Sequence, residues 1–443
     1  MMGATLRSEG KNRASWSGYL LVFLMLVLPM IPALFYLKVI LLGVVLVSIA
    51  VAALKTGQTG IHSSIALWTL SLCVVGAVFV LEGLLSGKVG AAQVMPLYVI
   101  WPIIYAVMIA GVRNQGILSG IRLTFIVATI CIGIYSLLYI LAETGILPES
   151  RFAFLFYSPK QGFAVHDEWA QMAYPGLNPL IFLVPFTFAE LVMSSLYPKA
   201  ISPLYRICLW TAFALGLEAV LLSGRRALYL GTLIAPPLIL LFASFQLKTE
   251  RRLSWKSLVR VTSFAVILLA ICIFTLNAAY GATLSGIVER LSMGFNFSPT
   301  AEDIGTTERR TQFHALLQGW MENPLLGAGY GAPAYGSIRD DLAPYNYELT
   351  YMQLLYQTGL VGFAAYSAGV CWIYWMGVRV IRAGGYLSGL MLACLVGMSS
   401  FLIGNATNPY FGSFETYWAI FLPLTVINLW LLRPFPRRLS VCA

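Results

Sequence analysis

Charge is what this sequence has least of. Only 10% of its 443 residues are Asp, Glu, Lys or Arg, against 59% hydrophobic, and a soluble fold needs far more charge to cover its surface. Cysteine is missing from the long connections. Cys73, Cys131, Cys208, Cys272, Cys371 and Cys394 fall inside apolar stretches and Cys442 near the C-terminal end, so neither a disulfide framework nor a thiolate metal site is expected. Internal repeats, low-complexity tracts and a cleavable signal pattern are also lacking. In a soluble chain the net charge of +10 would point to nucleic acid. In a membrane chain it is read through the positive-inside rule, and no nucleic-acid partner is expected.

What is present is a series of long apolar runs. Stretches of spanning length lie near 18–37, 38–54, 63–86, 92–112, 118–142, 177–195, 205–223, 227–247, 258–276, 349–376, 384–404 and 414–432, which predicts an all-α, polytopic helical bundle of about twelve membrane helices. Arg7, Lys11, Arg13, Lys55, Arg113, Lys199, Arg206, the run Lys248 to Arg260, Arg379, Arg382, Arg433, Arg437 and Arg438 gather on one face of that topology. Almost all carboxylates gather on the other, with Glu9 and Glu250 as exceptions. The basic face is therefore expected to be cytoplasmic, with both termini on it. Residues 1–276 then hold nine spans and 349–443 the last three. Two connections face outward, one near 143–176 and a larger one over 277–348, long enough to carry function and short helices. The run around Lys248 reads as a stretch lying along anionic lipid headgroups.

The residues that disobey the charge rule are the informative ones. Arg225 and Arg226 sit in the tight outward turn Ser223-Gly224-Arg225-Arg226. They need an anionic partner there. Glu218, two turns earlier on the same helix face, neutralises one of them in the plainest reading, but one carboxylate does not match two guanidiniums. In the large connection, Arg290 ends an amphipathic stretch of Leu284, Ile287, Val288 and Leu291. A second helix is predicted from a Thr306 or Thr307 cap to a stop at Asn323-Pro324, which puts Arg309 and Arg310 in its first turn. Cations are disfavoured there by the helix dipole, whereas a phosphate would welcome both them and the N–H groups. His314 shares this helix without a partner at ligand spacing and reads as a packed or solvated side chain. His166-Asp167-Glu168 is too slight a cluster to assign a metal, and the aromatics around it fit a flap facing lipid or sugar.

Three segments carry a resemblance. They are Ser223-Gly224-Arg225-Arg226, the arginine-led helix closing on Asn323-Pro324-Leu325-Leu326-Gly327-Ala328-Gly329-Tyr330-Gly331, and the helix that re-enters the membrane and runs from Tyr351 into Gly359-Leu360-Val361-Gly362. In this order, on one face, they resemble the superfamily of O-antigen ligases and Wzy-type O-antigen and exopolysaccharide polymerases. That resemblance implies a bundle like those of membrane glycosyltransferases of the GT-C kind, in the bacterial inner membrane, with its site toward the periplasm. It implies an undecaprenyl-diphosphate-linked glycan as donor, a lipid-linked glycan or lipid A-core as acceptor, a chain-length regulator as a further partner, and no metal or other cofactor. Carried onto this chain, Arg226 is the first diphosphate ligand, supported by Arg225, Arg309, Arg310 and Arg290, since fixed guanidinium charge does for a leaving diphosphate what Mg²⁺ does elsewhere.

The chain departs from the family in one place. The family's presumed base is a histidine ten residues before the glycine of that helix, and here Glu348-Leu349 precedes Gly359 instead. A carboxylate can take a proton from a sugar hydroxyl; it is also the residue type a helix N-terminus favours. Tyr345, Asn346 and Tyr347, with His314, are assigned to the acceptor side. A polymerase is the first reading and an O-antigen ligase the second. A twelve-helix secondary transporter is the reading from another class, but its expected repeated halves and midplane polar residues are not found, Glu190 being the main deep exception.

Overall fold

The computed structural model describes residues 16–143, 145–148, 162–165, 170–196, 202–246, 255–281, 283–293, 304–337 and 343–433. His166, Asp167 and Glu168 lie outside them. Apolar runs become helices because, in lipid, each backbone N–H and C=O must be satisfied within its own segment. Ten helical segments are long and apolar enough to cross a membrane, and the protein is an all-α, multi-pass membrane protein. In chain order they are α2 (Phe35–Thr56), α3 (Ser63–Leu85), α4 (Ala91–Gly111), α5 (Gln115–Glu143), α6 (Leu180–Leu196) with the turn before it, α7 (Pro203–Leu222), α8 (Arg226–Leu233) continued by α9 (Ala235–Ala243), α10 (Trp255–Tyr280), α13 (Thr350–Ala383) and α14 (Tyr386–Asn405). Two shorter apolar helices, α1 (Trp16–Met30) and α15 (Trp418–Leu431), complete the set. The large connection holds α11 (Leu284–Met293) and α12 (Ile304–Glu322). An antiparallel hairpin, β1 (Gly162–Val165) with β2 (Ala170–Ala173), stands in the smaller one and was not expected from the sequence.

The centre of the bundle is α6 against α14, both almost wholly enclosed by the other helices. Large side chains on α6 meet small ones on α14. A side chain at Gly397 would run into Phe182, and the missing atoms are what allow the two axes to approach. Glu190, deep on α6, is balanced there, since Arg122 of α5 donates to its Oε2 from Nε at 2.9 Å. The Arg122 guanidinium also lies 4.9 Å from the Tyr205 ring centroid. The deep carboxylate is thus part of a structural ion pair.

Among the described residues, Arg113, Arg379 and Arg382 of the basic set lie at helix ends on one side of the bundle, while Arg7, Lys11, Arg13, Lys199, the start of the Lys248 run, Arg437 and Arg438 lie outside those residues. Arg113 bonds Thr56 and the Gln58 carbonyl, Arg379 stacks over Trp375 and Trp430, and Arg382 over Phe245. The long connections lie at the other end, here called the loop face. One basic residue there, Lys38, is buried and paired with Glu415, and it caps the carbonyls of Ile31 (2.9 Å) and Pro32 (3.2 Å). That pair ties the start of α2 to the 406–417 connection.

Two of the three motifs turn out to be one device. α13 is not continuous, because Gly359 interrupts it at φ 59°, ψ −167°. The loop after α12 plugs the break. Leu360 and Val361 donate their N–H groups to the carbonyls of Pro324 (2.9 Å) and Leu325 (3.1 Å), while Ala328 and Gly329 donate to those of Tyr356 (2.9 Å) and Gln357 (3.0 Å). Each side of the break thus satisfies the other's orphaned backbone groups. The approach is so close that a Cβ on Gly359 would lie 2.2 Å from the Leu325 oxygen. Gly359→Ala combines that clash with a backbone region essentially closed to L-residues, a cost of at least about 3 kcal/mol. The expected outcome is a large loss of folded protein, read as the monodisperse fraction in detergent; normal yield would show that the break can close.

Candidate functional site

The site is assembled at the loop face from three connections. The first is the turn between α7 and α8. Ser223 accepts the Arg225 N–H at 3.1 Å while its own hydroxyl donates to the Val220 carbonyl at 2.5 Å, and Gly224 takes φ 59°. This aims Arg225 inward, where its guanidinium donates to Asn178 Oδ1 and to the Tyr174 carbonyl (3.1 Å). Arg226 opens α8 and donates from Nη1 to Thr306 Oγ1 at 2.9 Å, bridging to α12. Glu218 is elsewhere. It forms no ion pair among the described residues and lies beside Cys272 of α10, so it neutralises neither arginine.

The second connection runs from α12 to α13. α12 begins at Ile304, earlier than a cap at Thr306 or Thr307 would have it, so Thr306 lies in its first turn and Arg309 and Arg310 in its second. The dipole argument for the two arginines therefore falls, because dipole effects fade beyond the first turn. Their placement rests on tertiary contacts instead. Arg309 points inward and donates from Nε to Glu348 Oε2 at 2.6 Å. Gln312, one turn on and buried, accepts the Glu348 N–H at 3.0 Å, so α12 fixes both the backbone and the carboxylate of this residue. Leu316 continues the same face and is fully buried. Arg310 and His314 share a different, exposed face of the helix, as their spacing of four requires. Arg290 lies on α11, which packs on α8; its side chain is outside the described residues.

Glu348 precedes α13 by two residues, next to Leu349 at the cap position. Of its neighbours, Tyr347 is fully buried and accepts the Ala334 N–H with its hydroxyl. The Tyr345 ring rests on Gly90, and Asn346 is exposed. These tyrosines hold the segment in place while Asn346 stays open to solvent.

The third connection, between α14 and α15, supplies a residue that sequence reasoning missed. Tyr410 is buried, and its hydroxyl lies beside the Arg225 guanidinium and within electrostatic reach of Arg309 and Glu348. Burial pushes its phenol above the ordinary value, an effect only partly opposed by the two arginines, so it keeps its proton at neutral pH. Burial also pulls Arg225 below its usual range, with Tyr410 working the other way; the guanidinium stays charged. No periodic pattern marks Tyr410; the only signal is a polar-aromatic cluster between two apolar spans.

The arrangement can hold an anion. Arg225, Arg309, the Tyr410 phenol and the Glu348 carboxylate lie within electrostatic reach of one another, and a third arginine, Arg226, stands at the start of α8. Among the described residues no group of three His, Cys, Asp or Glu is arranged to hold a metal. No curated protein matches the chain. Residues 211–367, which contain all three motifs, match the family model described as O-antigen ligase, and this match over about a third of the chain supports membership of the superfamily of O-antigen ligases and Wzy-type polymerases.

Proposed function

We propose that the protein is a glycosyltransferase of the bacterial inner membrane, working at its periplasmic face on undecaprenyl-diphosphate-linked glycan, and that it is a polysaccharide polymerase. The match to the O-antigen ligase family supports an enzyme of lipid-linked glycan transfer. The observation that carries the finer reading is the convergence of Arg225, Arg309 and Glu348 from separate connections, joined by Arg226 through α12. Paired guanidiniums suit a diphosphate bidentately.

In the reaction, an acceptor hydroxyl gives its proton to Glu348 and its oxygen attacks the anomeric carbon. The bond from that carbon to the diphosphate oxygen breaks, and the electron pair leaves with undecaprenyl diphosphate. In-line attack inverts the anomeric centre. Glu348 and Arg309 are coupled, since a proton arriving on the carboxylate cancels its hold on Arg309 just as charge builds on the leaving group. Arg310, Arg290, Asn346 and His314 are proposed as outer contacts to donor and acceptor. A chain-length regulator remains a proposed partner.

The test is to incubate purified protein in detergent with undecaprenyl-diphosphate repeat units alone, in EDTA, and run the products on a gel. A ladder of multiples establishes a metal-independent polymerase. The family's own description favours a second reading, transfer of finished polymer to lipid A-core. Product only when that acceptor is added would establish the ligase, and no product with either would overturn the transferase reading. Within the same assay, Tyr410→Phe should lower turnover about tenfold or more, the worth of one hydrogen bond to a charged group. Unchanged turnover would remove Tyr410 from the site.

A further inference from the structure

The end of α12 and the turn after it present apolar side chains where a water-facing loop would not. Met321, Leu325 and Leu326 are all exposed, Leu325 to 63%, and they are followed at the α13 break by exposed Leu360 and Val361. The two groups are neighbours through the backbone bonds from Leu360 and Val361 to Pro324 and Leu325. On the other side, Tyr330 and Gly329 of the same loop lie against Phe79 and Gly83 near the outer end of α3.

The depth of this patch follows from α13 itself. Arg379, at the basic end of the helix, is 19 residues from Leu360, about 28 Å at the usual helical rise. The hydrocarbon core of a bilayer is about 30 Å thick. With Arg379 at one boundary, Leu360 reaches the other, and the turn bonded to it sits at that level. We infer that Met321, Leu325 and Leu326 form an anchor seated among the acyl chains of the outer leaflet, continuous with the lipid-facing surface of α13. The occupant is lipid because the patch extends a surface that already faces lipid, and because a polar environment would leave three large apolar side chains hydrated. α12 then lies as a bar across the loop face. Its first turn is tied to Arg226, its far end to the bilayer, and the Arg309–Glu348 pair is held between them.

The full chain carrying a photoreactive benzophenone amino acid in place of Leu325 tests this, in vesicles of phosphatidylethanolamine and phosphatidylglycerol, with adducts identified by mass spectrometry. The same residue at Val361 is the lipid-facing reference, and at Tyr335, which is 94% exposed on the loop, the aqueous one. Phospholipid adducts at 325 should match those at 361 and exceed those at 335 several-fold. A yield at 325 no higher than at 335 overturns the anchor, and so does crosslinking to a second copy of the chain. Position 326 labelled in the same way repeats the measurement if the first variant is poorly folded.

Discussion

Arg226→Ala should leave the amount of membrane-inserted protein at wild type and bring product formation down by about 10²–10³-fold, the range seen when one fixed donor to a developing negative charge is removed. The guanidinium stands at the first position of α8, so its loss removes charge from a place where helix N–H groups gather as well. It also bonds Thr306, and an architectural role acting through that contact is the alternative. Thr306→Val separates the two. It loosens the tie to α12 while keeping the charge, and it should retain most of the activity. If Thr306→Val is as inactive as Arg226→Ala, the arginine positions α12 and does not touch the diphosphate. Arg226→Lys should recover part of the rate, since an ammonium keeps the charge and loses the fork.

Glu348→Gln is expected to cost about 10²–10⁴-fold in turnover, the usual worth of a positioned general base, with donor binding intact. The amide keeps the shape of the side chain and the backbone bond to Gln312, and it leaves Arg309 without its counter-charge. A variant that binds donor at least as well as wild type and does not turn it over identifies the base. Weakened binding together with lost turnover would mean that the carboxylate serves only to place Arg309. Glu348→His should retain measurable turnover, because an imidazole at that place can take the same proton.

The membrane spans were legible because lipid imposes one rule on every apolar run: ten of the twelve stretches reappear as helices long and apolar enough to cross a membrane, and the first and last as shorter apolar helices. Arg225 and Arg226 were legible for the opposite reason, as residues whose presence the membrane does not explain. Other features had no local signature. Arg122 sits inside an apolar run, and nothing in its neighbourhood names Glu190 as its partner. The start of α12 was placed late because Thr306 and Thr307 are good caps by residue type, while the helix continues three residues further toward the N-terminus. The break at Gly359 was hidden because its apolar window is continuous, and only the docked loop shows why the helix stops. Tyr410 is a matter of tertiary placement alone.

The interlock between the Pro324–Gly329 loop and the two halves of α13 also bears on how the chain is made. The loop leaves the ribosome before α13 does, so it waits while the groups it must bond are still being synthesised. Until α13 inserts, the carbonyls of Pro324 and Leu325 and the N–H groups of Ala328 and Gly329 lack their partners. α12 therefore has no fixed seat, and Arg309 has no Glu348. A nascent or arrested chain lacking its last three spans is without this interlock, and on the proposed function it is expected to be inert toward lipid-linked glycan until the reactive centre is assembled as the final step of biogenesis.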